Sequence, residues 1–180
     1  SEGEKVGAYV TDLEQTMGVN DKLQLSQVGK ILNRRKVEAL MLAGVTIIDP
    51  DKVQVTTNVK VGRDTVLYPG TVLEGDSVIG ENCVIGSNTS LNNCKVGNNT
   101  KILETVGIDS EIGSDTNVGP FAYLRPGTKV GSEVKIGDFV EVKNSTIDDG
   151  TKVAHLTYIG DADVGKRVNF GCGTVVVNYD

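Results

Sequence analysis

From Val55 to the end of the chain aliphatic residues return at every sixth position, and that period limits the possible folds more than any other feature of the sequence. They stand at 55, 61, 67, 73, 79, 85 and 91, at 96 and 102, at 112, 118, 124, 130, 136 and 142, at 147, 153 and 159, and at 164 and 176, with Phe170 taking the place between the last two. Three of the steps are one residue short, and the step from 102 to 112 is irregular. Four positions after the aliphatic comes a small or β-branched residue, as at Thr65, Thr71, Ser77, Cys83, Thr89, Thr100, Thr116, Ala122, Thr128, Thr151, Thr157 and Thr174. One position after it Gly is usual, as at Gly62, Gly80, Gly97, Gly113, Gly131 and Gly165. One large and one small inward side chain per six residues, with Gly, Asn and Asp supplying turns, describes a prism whose short flat faces meet at corners. Three units close one coil, so about seven coils run from Val55 to Asp180.

Composition agrees with a strand-and-turn core of Val, Ile and Leu. Aromatics make up 4% of the residues, Trp is absent, Gly numbers 22, and 38% of residues are hydrophobic. Ahead of the repeats, Val6–Val10 reads as a short strand. Asp21–Ala43 reads as one long helix, with Leu25, Val28, Ile31, Leu32, Leu40 and Met41 near helical spacing, Asn20 or Asp21 as cap and Gly44 as stop. Its Arg34-Arg-Lys36 run reads as a solvated face rather than an anion site. Gly44–Pro50 reads as a strand stopped by proline.

Several function classes are excluded. A net charge of -6 without a dense Lys/Arg tract argues against nucleic-acid binding. No apolar run approaches the roughly 18 residues of a membrane span and the N-terminus has no secretory core, so the chain reads as cytoplasmic and free of membrane. Cys83, Cys94 and Cys172 are odd in number and widely spaced, which does not suit disulfides or zinc. A single histidine excludes three-histidine zinc chemistry, and no catalytic metal is expected in the repeats.

Departures from the repeat can be paired in space, because positions 18 apart stack on neighbouring coils about 4.8 Å apart. In the slot where Gly is usual, Arg125 follows Leu124 and Lys143 follows Val142, with no short step between them. Two stacked cations suit a phosphate dianion; the other reading is a surface pair screened by water and by Glu141. His155, the only histidine, lies two positions after Val153 and so points outward from a turn. It reads either as a surface residue or as a general base in a pocket with Tyr158, Asn169, Asn178 and Tyr179. Cys172 occupies the slot of His155 one coil on, as a small structural Cys or as a nucleophile beside the imidazole.

The ladder resembles the hexapeptide-repeat acyltransferases. That resemblance implies a mainly β chain, a left-handed parallel β-helix that trimerises, although the general rule for parallel crossovers gives the opposite hand. The strings Gly18-Val-Asn20, Ala43-Gly-Val45, Asp49-Pro50, Gly119-Pro-Phe-Ala122, Leu124-Arg-Pro-Gly127, Gly137-Asp-Phe-Val-Glu-Val-Lys143, His155-Leu-Thr-Tyr158 and Asn178-Tyr-Asp180 resemble, more closely, the bacterial bifunctional N-acetylglucosamine-1-phosphate uridyltransferase/glucosamine-1-phosphate acetyltransferases. The resemblance implies acetyl transfer from acetyl-CoA to the amino group of glucosamine 1-phosphate by direct attack. His155 would be the base, Glu141 its support, and Arg125 and Lys143 the phosphate clamp. Tyr158 and Asn169 would line the sugar pocket and Asn178 and Tyr179 the acetyl pocket, in a site shared within a homotrimer. Asn20 matches an asparagine that helps hold magnesium at the family's uridyl-transfer site, whose other ligand and nucleotide loop are not in this chain.

On the same ground residues 1–43 are expected to be the end of a uridyltransferase domain with its connecting helix, residues 44–180 the β-helix, and the whole an internal fragment without uridyl transfer. The resemblance also implies a place in UDP-N-acetylglucosamine supply for cell-wall precursors. Two other readings remain: a different hexapeptide-repeat acetyltransferase, and a non-catalytic trimeric β-helix scaffold.

Overall fold

The computed structural model of the protein describes residues 7–176. The helix runs over Lys22–Leu42. The Asp21 side chain accepts from Gln24 N at 2.7 Å, which satisfies a free amide of the first turn, while the Gln24 side chain accepts from Asn20 N, just ahead of the cap, at 2.7 Å. It ends at Ala43, where Gly44 turns the chain at φ +99°.

The repeats then wind through three parallel sheets of eight, seven and seven strands, in which each strand pairs with the one a coil before and a coil after. The first face includes Thr46–Ile47, Asn117–Val118, Lys135–Asp138, Lys152–His155 and Asn169–Phe170. The second includes Gln54–Val55, Val106–Ile108, Tyr123–Leu124, Glu141–Lys143 and Tyr158–Gly160; the third runs from Lys60–Val61 to Asp163–Val164.

Both inward positions of the repeat are buried as the period requires. Leu67, Leu73, Ile85, Leu91, Ile102, Leu124, Ile136 and Ile159 are fully enclosed, as are Thr65, Thr71 and Thr151. The small inward residue is often Thr or Ser because its hydroxyl serves a corner amide that the sheet ladder does not reach. Thr65 Oγ1 donates to Gly80 O at 2.8 Å and accepts from Cys83 N at 3.0 Å, and Thr151 does the same with Gly165 O and Val168 N. Cys83 and Cys94 fill this slot, and burial pushes both thiols upward in pKa.

Three features differ from the expectation. Gly7–Val10 has no regular structure, and Tyr9 and Val10 are exposed, because nothing in the repeats pairs with them; Val6 lies outside the described residues. On the helix only Val37 and Leu40 are buried, while Leu25, Leu32 and Met41 are exposed and Val28 and Ile31 half-buried, since it packs on the first coil through its C-terminal half. The irregular step hides a regular rung: Gly107 pairs with Leu91 and Leu124 on the second face, and the interior there is filled by Leu91 and Cys94 instead of a side chain at 107.

The helix covers the open edge of the first coil. Asn33 donates through Nδ2 to Val53 O and accepts at Oδ1 from Val55 N, both at 2.9 Å, so its amide stands in for the neighbouring strand an edge lacks. Asn33→Ala leaves both backbone groups half-buried and unpaired. It is expected to lower unfolding stability by about 1–3 kcal/mol in chemical denaturation, with no change in the coils beyond.

Corners between faces are turned in the left-handed region. Between the second and third faces the residues are Gly75, Asn93, Asp109, Gly127, Asn144 and Asp161, all types that tolerate positive φ. Between the first and second faces the series begins Gly70, Asn88, Glu104 and then becomes Phe121, Phe139 and Leu156. These three bulky residues sit at φ +59°, +54° and +46°, each more than half exposed, and the two Phe rings stack at 5.4 Å. Such a conformation costs a bulky residue about 1–2 kcal/mol.

Candidate functional site

The edge that carries Phe121, Phe139 and Leu156 also carries His155. Strands Lys135–Asp138 and Lys152–His155 have four residues each, against two or three elsewhere among the described strands, so ladder pairing extends to the corner here. Asp138 and His155 are register partners, and His155 Nδ1 lies 2.5 Å from Asp138 Oδ1. The approach depends on Gly137, since a Cβ there would overlap the Ala154 carbonyl, 2.6 Å from its carbon. The hydrogen bond from His155 holds the Asp138 carboxyl below the usual aspartate range. A depressed carboxylate stays ionised at neutrality and loses its contact only as pH falls through its lowered value.

Around the corner, on the second face, two outward columns follow from the strand alternation. Tyr123, Glu141 and Tyr158 are in register on successive coils, and so are Lys143 and Gly160, with Arg125 directly after Leu124 beneath Lys143. The stacking expected of Arg125 and Lys143 is present. Each cation, however, already holds a carboxylate: Arg125 Nη1 donates to Glu141 Oε1 at 2.9 Å, and Lys143 Nζ to Asp161 Oδ2 at 3.0 Å. Asn144 Nδ2 also donates to Asp161, at 2.7 Å. The bond to Glu141 raises the Arg125 pKa further. An incoming dianion therefore has to share or displace these carboxylates.

Glu141, expected beside His155, is placed on Arg125 instead. Its register partner is Tyr158 rather than His155, and the guanidinium below draws it into a charge-assisted bond. The carboxylate on the imidazole is Asp138, which sequence reasoning missed. A signal existed: Asp138 follows Ile136 by two positions as His155 follows Val153, once the short step to 147 is counted.

Tyr158 is half-buried and lies three residues after His155. Asn169 pairs with Lys152, at the far end of the first face, three extended residues or about 10 Å along the strand from the level of His155. It lines a shallow groove with Gly150, Lys152 and Arg167. Continuing the register that pairs Val153 with Phe170 sets the exposed Cys172 one coil above His155. Asn178 and Tyr179 lie outside the described residues. Asn20 is exposed at the head of the helix, and no group of three or more His, Cys, Asp or Glu side chains suited to a metal is found among the described residues. Arg34 and Arg35 both pair with Glu14, and Lys36 Nζ donates to Thr57 O, so this run is tied to its own chain. A concavity of about 1030 Å³ between helix and first coils is lined by Lys30, Asn33, Gln54 and Glu74 and lies coils away from His155. No described helix is long and apolar enough to cross a membrane.

Residues 58–93 and 109–144 match the family model described as bacterial transferase hexapeptide (six repeats). A protein of Clostridium beijerinckii named "Bifunctional protein GlmU" is 52% identical over 180 residues, covering 100% of this chain and 40% of its own length. A protein of the same name from Clostridium tetani is 52% identical over 180 residues, covering 99% of this chain and 39% of its own. The chain thus spans about two fifths of the length of the curated relatives it matches. Among solved structures, UDP-N-acetylglucosamine O-acyltransferase (LpxA) of Moraxella catarrhalis RH4 aligns at a TM-score of 0.45 and 14% identity over 67% of this chain and 63% of that one.

Proposed function

The chain belongs to the bacterial hexapeptide-repeat transferases and is matched along its whole length by part of the bifunctional GlmU proteins; on that premise we propose that it transfers an acetyl group from acetyl-CoA to the amino group of glucosamine 1-phosphate. The observation that carries this reading is the placement of the only histidine, seated on a carboxylate, at the edge adjoining the Arg125/Lys143 face.

The amine nitrogen attacks the thioester carbonyl carbon and a C–N bond forms. Its proton passes to His155, the C–S bond breaks, and the imidazolium returns the proton to the departing coenzyme A thiolate. Arg125 and Lys143 take the sugar phosphate in exchange for part of their contact with Glu141 and Asp161. Tyr158 borders the sugar, with Asn169, Asn178 and Tyr179 completing the pocket from a neighbouring copy in a homotrimer, whose contact would cover the Phe121, Phe139 and Leu156 ridge. Residues 44–180 are the acetyl-transfer unit and residues 1–43 the link to a uridyltransferase domain, where Asn20 would help to hold magnesium together with a ligand from outside this chain. The product is N-acetylglucosamine 1-phosphate, which the uridyltransferase domain of the full-length protein then converts with UTP to UDP-N-acetylglucosamine for cell-wall precursors, in the cytoplasm.

One observation favours a non-catalytic scaffold instead, namely that both cations are already neutralised within the chain. Kinetics in the full-length protein separates the two. Arg125→Ala and Lys143→Ala are each expected to raise KM for glucosamine 1-phosphate about 10- to 100-fold, the loss of a charged hydrogen bond, with KM for acetyl-CoA within about twofold. Equal losses for both substrates would remove the phosphate clamp from the account.

A further inference from the structure

We infer that Asp138 is a positioning residue, which fixes His155 in the tautomer with its proton on Nδ1 and so leaves the Nε2 lone pair as the base. This rests on the reading of His155 given above. The chemistry follows from the 2.5 Å contact between His155 Nδ1 and Asp138 Oδ1. Asp138, held below the usual aspartate range, is ionised at neutral pH, and a carboxylate only accepts hydrogen bonds. Nδ1 must therefore donate, and in the neutral ring Nε2 is then the acceptor. An unassisted imidazole prefers the opposite tautomer, which offers no lone pair at Nε2.

The backbone holds this arrangement in place. The two four-residue strands keep Asp138 and His155 in register, Leu156 N donates to Asp138 O at 3.0 Å, and Gly137 admits the Ala154 carbonyl. Directly after the pair, Phe139 and Leu156 turn the corner in left-handed conformations that their types disfavour, and strain of this kind persists where a site requires it. The other titratable groups on the paired elements are Lys135 and Lys152, which are register partners, and Cys172 on the coil above; Asn117–Val118 below has none. Neither lysine can accept from Nδ1 while protonated.

Because His155 is the only histidine, 15N-histidine labelling of the 180-residue chain reports one imidazole. Two-bond 1H–15N correlations at about pH 9, where an ordinary imidazole is neutral, are expected to show the Nδ1–H form. Asp138→Ala should revert it to the Nε2–H form, and Asp138→Asn, whose amide oxygen still accepts, should restore most of the Nδ1–H form. In the full-length protein Asp138→Ala is expected to lower kcat for acetyl transfer at least about tenfold with both KM values within about twofold, and Asp138→Asn to recover most of it. A wild-type ring found as Nε2–H, or an Asp138→Ala variant with parental kcat, overturns the assignment. An Nδ1–H ring in a full-length protein without any acetyl transfer would instead overturn the proposed function and uphold the tautomer.

Discussion

Gly137→Ala is expected to destabilise the chain by about 3 kcal/mol or more and to abolish the close pairing of Asp138 with His155. A Cβ at 137 meets the Ala154 backbone carbonyl and not the flexible end of a side chain, so relief requires two coils to separate where they carry the site. In a stacked fold each coil contacts only its neighbours, so the damage should be local. Hydrogen exchange should show early opening at Leu156 N, which donates to Asp138 O, with Val66–Leu67 unaffected. Gly165→Ala is the control. Gly165 occupies the same slot of the repeat, after Val164, yet a Cβ there meets nothing within 4 Å in this chain. That substitution should stay within about 0.5 kcal/mol of the parent. Similar denaturation midpoints for both variants would mean that the close approach at 137 is not what orders this edge.

The difference between these two glycines illustrates what the sequence made legible. The period alone located the inward aliphatics, the small residues beneath the corners, and the stacking of Arg125 on Lys143, because a two-sided pleat leaves little choice once one face is apolar. It lost the rung at Gly107, since a residue without a side chain leaves no mark in a count of aliphatics. It located the helix and its cap but not the face that docks: periodicity shows that Leu25 and Leu32 are apolar, but only the position of the first coil decides that Val37 and Leu40 are buried. At the site, resemblance put Glu141 beside His155, whereas register and the neighbouring guanidinium assign it to Arg125 and give the imidazole to Asp138. The corner run Phe121, Phe139 and Leu156 was illegible for a simpler reason. Turn rules look for Gly, Asn and Asp, and these residues break the rule.

His155→Ala carries the other large expectation. The side chain is 53% exposed and its partner, Asp138, is 37% exposed, so removing it takes away a surface contact and leaves the prism interior untouched. If His155 removes the proton from the attacking amine, its loss should slow acetyl transfer by about 10² to 10⁴-fold, as general-base deletions do. Melting temperature should change little, and any uridyl transfer by the full-length protein should continue, because that chemistry does not use this edge. Those two controls separate lost chemistry from lost folding.

The most direct measurement is coenzyme A release from acetyl-CoA with glucosamine 1-phosphate, followed from about pH 6 to pH 9 in the full-length protein and its His155→Ala variant. The account predicts robust release by the parent and a loss of at least about 10² at every pH in the variant. Near-parental release by His155→Ala across that range would contradict it, and would make His155 a surface residue of a scaffold.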